Sequence, residues 1–224
     1  MIEQSEIKEW YNHEYAENPR RFTRDLKHYQ PFLNCLSPQA GKKILDVSCG
    51  TGGFLSLAGK MGLRVCGVDL ANKAIEAAKK ILPGAELKVA NGEALPFPDQ
   101  EFDYVTNIGS LEHYLNPGQG IKEMRRVLKK GGKILIVLPN SFWEMHKGTG
   151  QRVEKLNTLR AWTRLLKENG LKVLKINKDY GPGIFHDHKA HKIIFRAIGK
   201  VITLILPVSF AYQFVFLCEA GGKQ

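Results

Sequence analysis

A chain of 224 residues with 43% hydrophobic and 25% charged residues is long enough to bury a full core, and its composition excludes a disordered or fibrous class. The formal charge of +11 is concentrated at one end, where residues 151–224 carry 13 Lys and Arg against 5 Asp and Glu; this admits nucleic acid or an anionic membrane surface as a partner, and a solvated basic face accounts for it equally well. Cys35, Cys49, Cys66 and Cys218 show neither metal-type spacing nor disulfide density, and the first 21 residues lack the basic start and apolar run of an export signal, so a cytoplasmic protein with reduced thiols is expected.

Residues 1–40 read as helical and carry Trp10, Tyr11, Tyr15, Phe22, Tyr29 and Phe32, the bulk of a lid or cap. Any one of these rings also serves simply to dock a helix. From Lys43 to Pro139, strand-sized apolar runs alternate with helix-period stretches. KILDV, RVCGVDL, ELKVA, FDYVTNI and KILIVL are the strands, and 51–61, 72–82 and 118–130 are the helices between them. Lys129-Lys130-Gly131-Gly132 reads as a basic last helical turn closed by glycine. Such alternation implies a parallel sheet covered by helices on both faces.

Further on, 156–169 reads as a helix stopped by Gly170, LKVLKI as a strand, 192–206 as a helix and 212–220 as a final strand. Residues 201–218 hold no charge and approach the length of a membrane span, but Pro207, Ser209, Tyr212 and Gln213 interrupt them. A buried helix, turn and strand explain them better than a span, although contact with a membrane surface stays open. The expected organisation is one structural domain, with residues 1–40 as a helical cap on a body of residues 41–224.

The chemistry concentrates in KKILDVSCGTGGF, where a strand runs through a glycine-rich turn into a helix. Asp46 lies at the carboxyl end of the strand, Gly50 and Gly52 let backbone approach a ligand, and the helix start offers unsatisfied N–H groups. A nicotinamide dinucleotide fits poorly, because the G-x-G-x-x-G pattern read from Gly50 ends on Leu55 and an acid precedes the turn. A carboxylate there repels pyrophosphate and suits a ligand bearing an amine. Asp69, at the end of the second strand, suits the vicinal hydroxyls of a ribose, its alternative being a helix cap.

In order along residues 42–140, ILDVSCGTG, VDLA, ANGEALPFPDQEFDYV and MRRVLKKGGKILI resemble the motifs of class I S-adenosylmethionine-dependent methyltransferases, in particular the small-molecule group with the ubiquinone and menaquinone C-methyltransferases. The resemblance implies an α/β Rossmann-like three-layer sandwich, with a seven-stranded, mostly parallel sheet and an antiparallel last strand. It implies S-adenosylmethionine as cofactor and S-adenosylhomocysteine as product. Carried over, Asp46 and the backbone of Ser48, Cys49, Gly50 and Gly52 hold the methionine part, Asp69 the ribose, Leu70 the adenine face, and Asn91 with Gly92 the adenine edge. Asn107 and Ile108 border the methyl group. Ser48 stands where the family has glycine and Asn91 where it has an acid; serine is small enough to be tolerated, and the Asn91 oxygen still accepts from the adenine amine.

Methyl transfer needs donor and acceptor held in line, and an acidic acceptor also needs its proton removed. His113, in SLEHY after the fourth strand, is the candidate base, with Glu112 beside it. The segment Asn107-Ile108-Gly109-Ser110 lacks both the Asn/Asp-Pro-Pro-aromatic signature of base-amine methylation and a Pro-Cys nucleophile, so the expected acceptor is a small molecule. The ends of the chain are expected to shape its site, through Tyr11, Tyr15, His186 and His188. His186, His188 and His191 match no common zinc spacing, so no metal is expected. Two rivals are an RNA methyltransferase using the basic C-terminal third and a catalytically silent nucleoside-binding module.

Overall fold

The computed structural model describes residues 2–18, 22–142, 153–179 and 206–222. Helix α1 (Gln4–Glu17), a 3-10 turn (Leu26–His28) and α2 (Gln30–Leu36) precede the sheet. Then follow β1 (Lys43–Val47), α3 (Gly53–Lys60), β2 (Arg64–Asp69), α4 (Asn72–Ile81), β3 (Glu86–Val89) and β4 (Phe102–Ile108). A 3-10 turn (Leu111–His113) leads to α5 (Pro117–Val127), β5 (Leu128–Pro139), α6 (Leu159–Glu168), β6 (Leu171–Asp179) and β7 (Gln213–Ala220).

The seven strands form one sheet in the order β3-β2-β1-β4-β5-β7-β6. Pairs among β1 to β5 are parallel, whereas β7 runs antiparallel to both β5 and β6. This is the expected mostly parallel, seven-stranded α/β sandwich. The strand order reverses between β1 and β4, and the crevice outside the carboxyl ends at such a reversal is where ligands bind in open α/β sheets.

Alternation along each strand sends neighbouring side chains to opposite layers. Ile44, Leu135 and Val137 pack with Leu33 and Leu36 of α2, Phe54 and Leu55 of α3, and Ile75 of α4. Leu45, Val47, Ile134 and Ile136 pack on the other face with Ile121 and Met124 of α5 and Trp162 and Leu166 of α6. Helix α6 is tied down further where Trp162 Nε1 donates to the Pro139 carbonyl at 2.9 Å.

One expected boundary moves. The helix drawn to residue 130 ends at Val127, and its basic last turn is Arg125 and Arg126. Leu128 instead pairs with Phe102, and the register slips before Lys133 meets Tyr104. Gly131 takes φ +75°, and a Cβ on Gly132 would lie 2.8 Å from the Asp103 carbonyl. The Lys-Lys-Gly-Gly segment is thus an irregularity within β5 that glycine permits, and Lys129 Nζ bonds Asp103 across it at 3.1 Å. The helix expected at 192–206 falls outside the described residues apart from Leu206. Among the described residues, no helix is long and apolar enough to cross a membrane.

Candidate active site

The turn after β1 is built from left-handed backbone. Ser48, Gly50 and Gly52 have φ of 65°, 54° and 83°. A Cβ on Gly52 would meet Leu82 Cδ1 at 2.9 Å and one on Gly50 would meet Tyr15 Oη at 3.0 Å, so positive φ and crowding both favour glycine there. Ser48 holds the same backbone class with a side chain, at a cost of roughly 1–2 kcal/mol. The turn is pinned by Cys49 N donating to the Val68 carbonyl (2.9 Å) and Gly50 N donating to Asp69 Oδ2 (2.9 Å). Gly52 caps α3 without a side-chain bond, which leaves the first turn of that helix open toward the crevice.

Two buried carboxyls face this turn. Asp46 Oδ1 accepts from Thr106 Oγ1 at 2.6 Å, and burial pushes its pKa up to about 7 against the pull of that bond. Asp69 also accepts from Ala71 N at 2.9 Å, and burial pushes it up to about 6 although the backbone N–H groups of Ala71 and Gly50 oppose the rise. A cationic amine or a pair of hydroxyl donors would stabilise such acids in their ionised form.

Asp46, Ser48, Cys49, Gly50, Asp69, Leu70, Asn91, Gly92 and Ile108 all line one cleft with about 1000 Å³ of free space counted out to open solvent. Tyr11, Tyr15 and His113 line the same cleft, so residues expected for cofactor, acceptor and proton transfer meet in one place. The donor set suits S-adenosylmethionine: a buried acid for the ammonium, a second for ribose hydroxyls, an apolar Leu70 and a glycine cradle.

Three of the expected cofactor residues also have structural roles. Gly52 shapes the turn without lining the cleft. Asn91 Oδ1 accepts from Glu93 N at 2.9 Å, which leaves one lone pair and the amide N–H₂ group for a ligand. Asn107 is fully buried behind the wall, where its Nδ2 donates to the Val47 carbonyl at 3.1 Å and to Tyr114 Oη at 3.2 Å, and its Oδ1 accepts from Leu111 N at 3.0 Å. It braces β1, β4 and the following turn.

His113 Nδ1 lies 2.6 Å from the Val153 carbonyl, which can only accept; Nδ1 is therefore protonated, and in the neutral ring Nε2 carries the lone pair. Nε2 is 3.8 Å from Glu112 Oε1. Glu112 is buried behind the lining, and burial pushes its pKa up to about 8 despite the nearby Arg24 charge. Its Oε2 has no hydrogen-bond partner among the described residues. Lys155 holds this segment from behind, its N donating to the Glu112 carbonyl (2.8 Å) and its Nζ to the carbonyls of Tyr114 and Leu115 (both 2.7 Å).

Helix α1 covers the cleft. Tyr11 and Tyr15 pack on Phe22 with ring centroids 5.7 and 5.1 Å apart, and burial raises both hydroxyls above their ordinary range. Asn12 Oδ1 anchors the helix by accepting from Lys73 N at 3.1 Å. Sequence reasoning missed Arg24 and Tyr114, which also line the cleft, as does Tyr29 from the expected cap. Arg24 Nη2 donates to Gln213 Oε1 at 3.0 Å and Nη1 lies 3.5 Å from Asp179 Oδ2, links across the chain that no local pattern announces. Tyr114 had a signal, its place beside His113 in SLEHY. His186 and His188 lie outside the described residues. Among the described residues, no three His, Cys, Asp or Glu are grouped to hold a metal ion.

A family profile described as a methyltransferase domain matches residues 45–136. A probable tRNA methyltransferase 9B of Mus musculus is 31% identical over 169 residues, 72% of this chain and 35% of its own length. A demethylmenaquinone methyltransferase of Clavibacter sepedonicus is 36% identical over 104 residues, 45% of this chain and 42% of its own length. This chain thus spans less than half of either relative. The crystal structure of the PH0226 protein from Pyrococcus horikoshii shares the fold with a TM-score of 0.67 at 21% identity, over 93% of this chain and 98% of that one. The matched profile covers the strands and turn that shape the cleft, and the sheet has the seven strands and antiparallel last strand that those motifs imply: residues 45–136 are a methyltransferase domain, in a chain with the fold of the class I S-adenosylmethionine-dependent enzymes.

Proposed function

We propose that the protein transfers a methyl group from S-adenosylmethionine to a small-molecule acceptor held beneath α1, with His113 as the base. The observation that carries this reading is the shared cleft, in which Tyr11, Tyr15 and His113 face the same space as Asp46, Asp69 and the Ser48–Gly50 backbone. S-adenosylmethionine, when bound, supplies a methyl group on a positively charged sulfur. Asp46 pairs with the ammonium of the amino-acid part, and Asp69 accepts from the ribose hydroxyls while it holds Gly50 N in place. Tyr11, Tyr15 and Phe22 exclude water above the acceptor, and orientation of this kind is worth up to about 7–11 kcal/mol of a barrier. His113 Nε2 takes the acceptor's proton, and the Val153 carbonyl keeps the other nitrogen as donor. With its pKa near 8, Glu112 is mostly neutral at pH 7, so His113 is not held there as an ion pair.

Helical cover over the cleft favours a compact acceptor. A second reading, methylation of RNA, draws on the relative named as a tRNA methyltransferase and on exposed cations such as Arg164 and Lys172. Incubation with labelled S-adenosylmethionine and fractionated extracts separates the two. Label in a small organic molecule supports the proposal, whereas nuclease-sensitive label with steep salt dependence overturns it in favour of RNA. Cofactor binding without transfer to any fraction points to a silent module.

A further inference from the structure

Asn107 begins a hydrogen-bond chain that ends in the cleft. The Leu111 N–H only donates and the Val47 carbonyl only accepts, so the Asn107 amide has one possible orientation, with its second N–H directed to Tyr114 Oη at 3.2 Å. The Tyr114 hydroxyl accepts there and lies 2.9 Å from Ser48 Oγ, a bond in which either oxygen can be the donor. With Tyr114 as the donor, Ser48 Oγ accepts and its hydrogen is left to donate onward to an anion in the cleft. Ser48 lines the cleft two residues from Asp46, beside the uncapped first turn of α3. Each link polarises the next, so the terminal hydroxyl is a stronger donor than an isolated serine.

We infer that Ser48 is a ligand-binding side chain whose hydroxyl donates to the carboxylate of the cofactor's amino-acid part, with Tyr114 and Asn107 as its positioning residues. A glycine at this position has no side-chain donor to offer. The inference rests on the cofactor reading above and adds to it a specific contact. The amino-acid part carries both charges: its ammonium answers Asp46, and its carboxylate needs donors nearby, which the open helix turn and Ser48 supply together. The Tyr114 ring is packed against Gly92, where an added Cβ would fall 2.1 Å from Tyr114 Oη, so the hydroxyl that bonds Ser48 has little freedom to swing away.

The test is calorimetric binding of two probes, S-adenosylhomocysteine and 5′-methylthioadenosine, the second lacking the amino-acid part. Ser48→Ala, Ser48→Gly and Tyr114→Phe are compared with the unaltered protein, with thermal melts confirming that each folds. Ser48→Ala is expected to weaken S-adenosylhomocysteine about tenfold or more, as for loss of a bond to a charged group, while 5′-methylthioadenosine stays within about twofold. Ser48→Gly is expected to melt higher, because the left-handed strain is relieved, and yet to bind S-adenosylhomocysteine more weakly. Tyr114→Phe is expected to weaken the same probe less, and to have no further effect in a Ser48→Ala background. Unchanged S-adenosylhomocysteine binding by Ser48→Ala and Ser48→Gly overturns the inference, as does equal weakening of both probes. If the unaltered protein binds neither probe, it is the cofactor reading that fails.

Discussion

Thr106→Val removes the hydroxyl that donates to Asp46 at 2.6 Å, together with its longer contact to the Leu45 carbonyl at 3.4 Å, and leaves a side chain of nearly the same shape, so its main effect falls on a buried acid. Burial already pushes Asp46 up to about 7, with the Thr106 bond holding it down. A bond to a charged group is worth about 1.5–3 kcal/mol and one pKa unit about 1.4 kcal/mol, so the carboxyl rises by up to about one to two units. At pH 7 its ionised fraction then falls from about a half to about 0.1–0.01, and affinity for a ligand whose ammonium needs the carboxylate falls roughly 5- to 50-fold. The sign follows from the raised pKa: binding strengthens as pH climbs through the value for Asp46, with a midpoint near 7 in the unaltered protein and about 8–9 in the variant. Calorimetric titration with S-adenosylhomocysteine between pH 6 and 9 reads this directly. The deficit should be largest below pH 7 and shrink toward pH 9. An equal deficit at both ends, or none at either, refutes the pairing of Asp46 with the ammonium.

Gly92→Ala places a methyl group 2.1 Å from Tyr114 Oη, and overpacking of this kind costs about 1–3 kcal/mol, so a lower melting temperature and weaker cofactor binding are expected in scanning calorimetry and titration. Glu112 has a folded pKa of about 8, well above an ordinary glutamate, so its contribution to the stability of the ligand-free protein falls as pH rises from about 4.5 to 8. Glu112→Gln should therefore melt higher than the unaltered protein at pH 8 and lose that advantage at pH 5; a constant offset would refute the shift. His113→Asn should lower kcat by about 10²–10⁴ with S-adenosylhomocysteine affinity unchanged, and full activity would remove His113 as the base. Deleting residues 2–18 should abolish acceptor turnover while cofactor binding persists, and normal turnover would show α1 to be packing only.

The parts of the cleft that were legible in the sequence are those whose chemistry is local. A glycine at φ +54° or +83° and an acid at a strand end constrain the few residues around them, so Gly50, Gly52, Asp46 and Asp69 announced both the turn and its preference for an amine-bearing ligand. Other positions depend on partners far along the chain. Arg24 reaches the cleft through Gln213, and no spacing within residues 19–25 carries that information. Asn107 occupied a position expected to border the methyl group, but strand alternation and the Leu111 N–H draw its side chain into the wall. The Lys-Lys-Gly-Gly segment shows the same ambiguity in the backbone, since cations followed by glycine suit both a helix end and a strand irregularity. Burial of Leu128 opposite Phe102 decided for the strand, through a pairing that requires β4 to be in place first. Ser48 bears most directly on function. As a departure from glycine it read as a tolerated substitution, and its hydroxyl acquires meaning only because Tyr114 and Asn107, 66 and 59 positions further on, place a hydrogen-bond chain behind it.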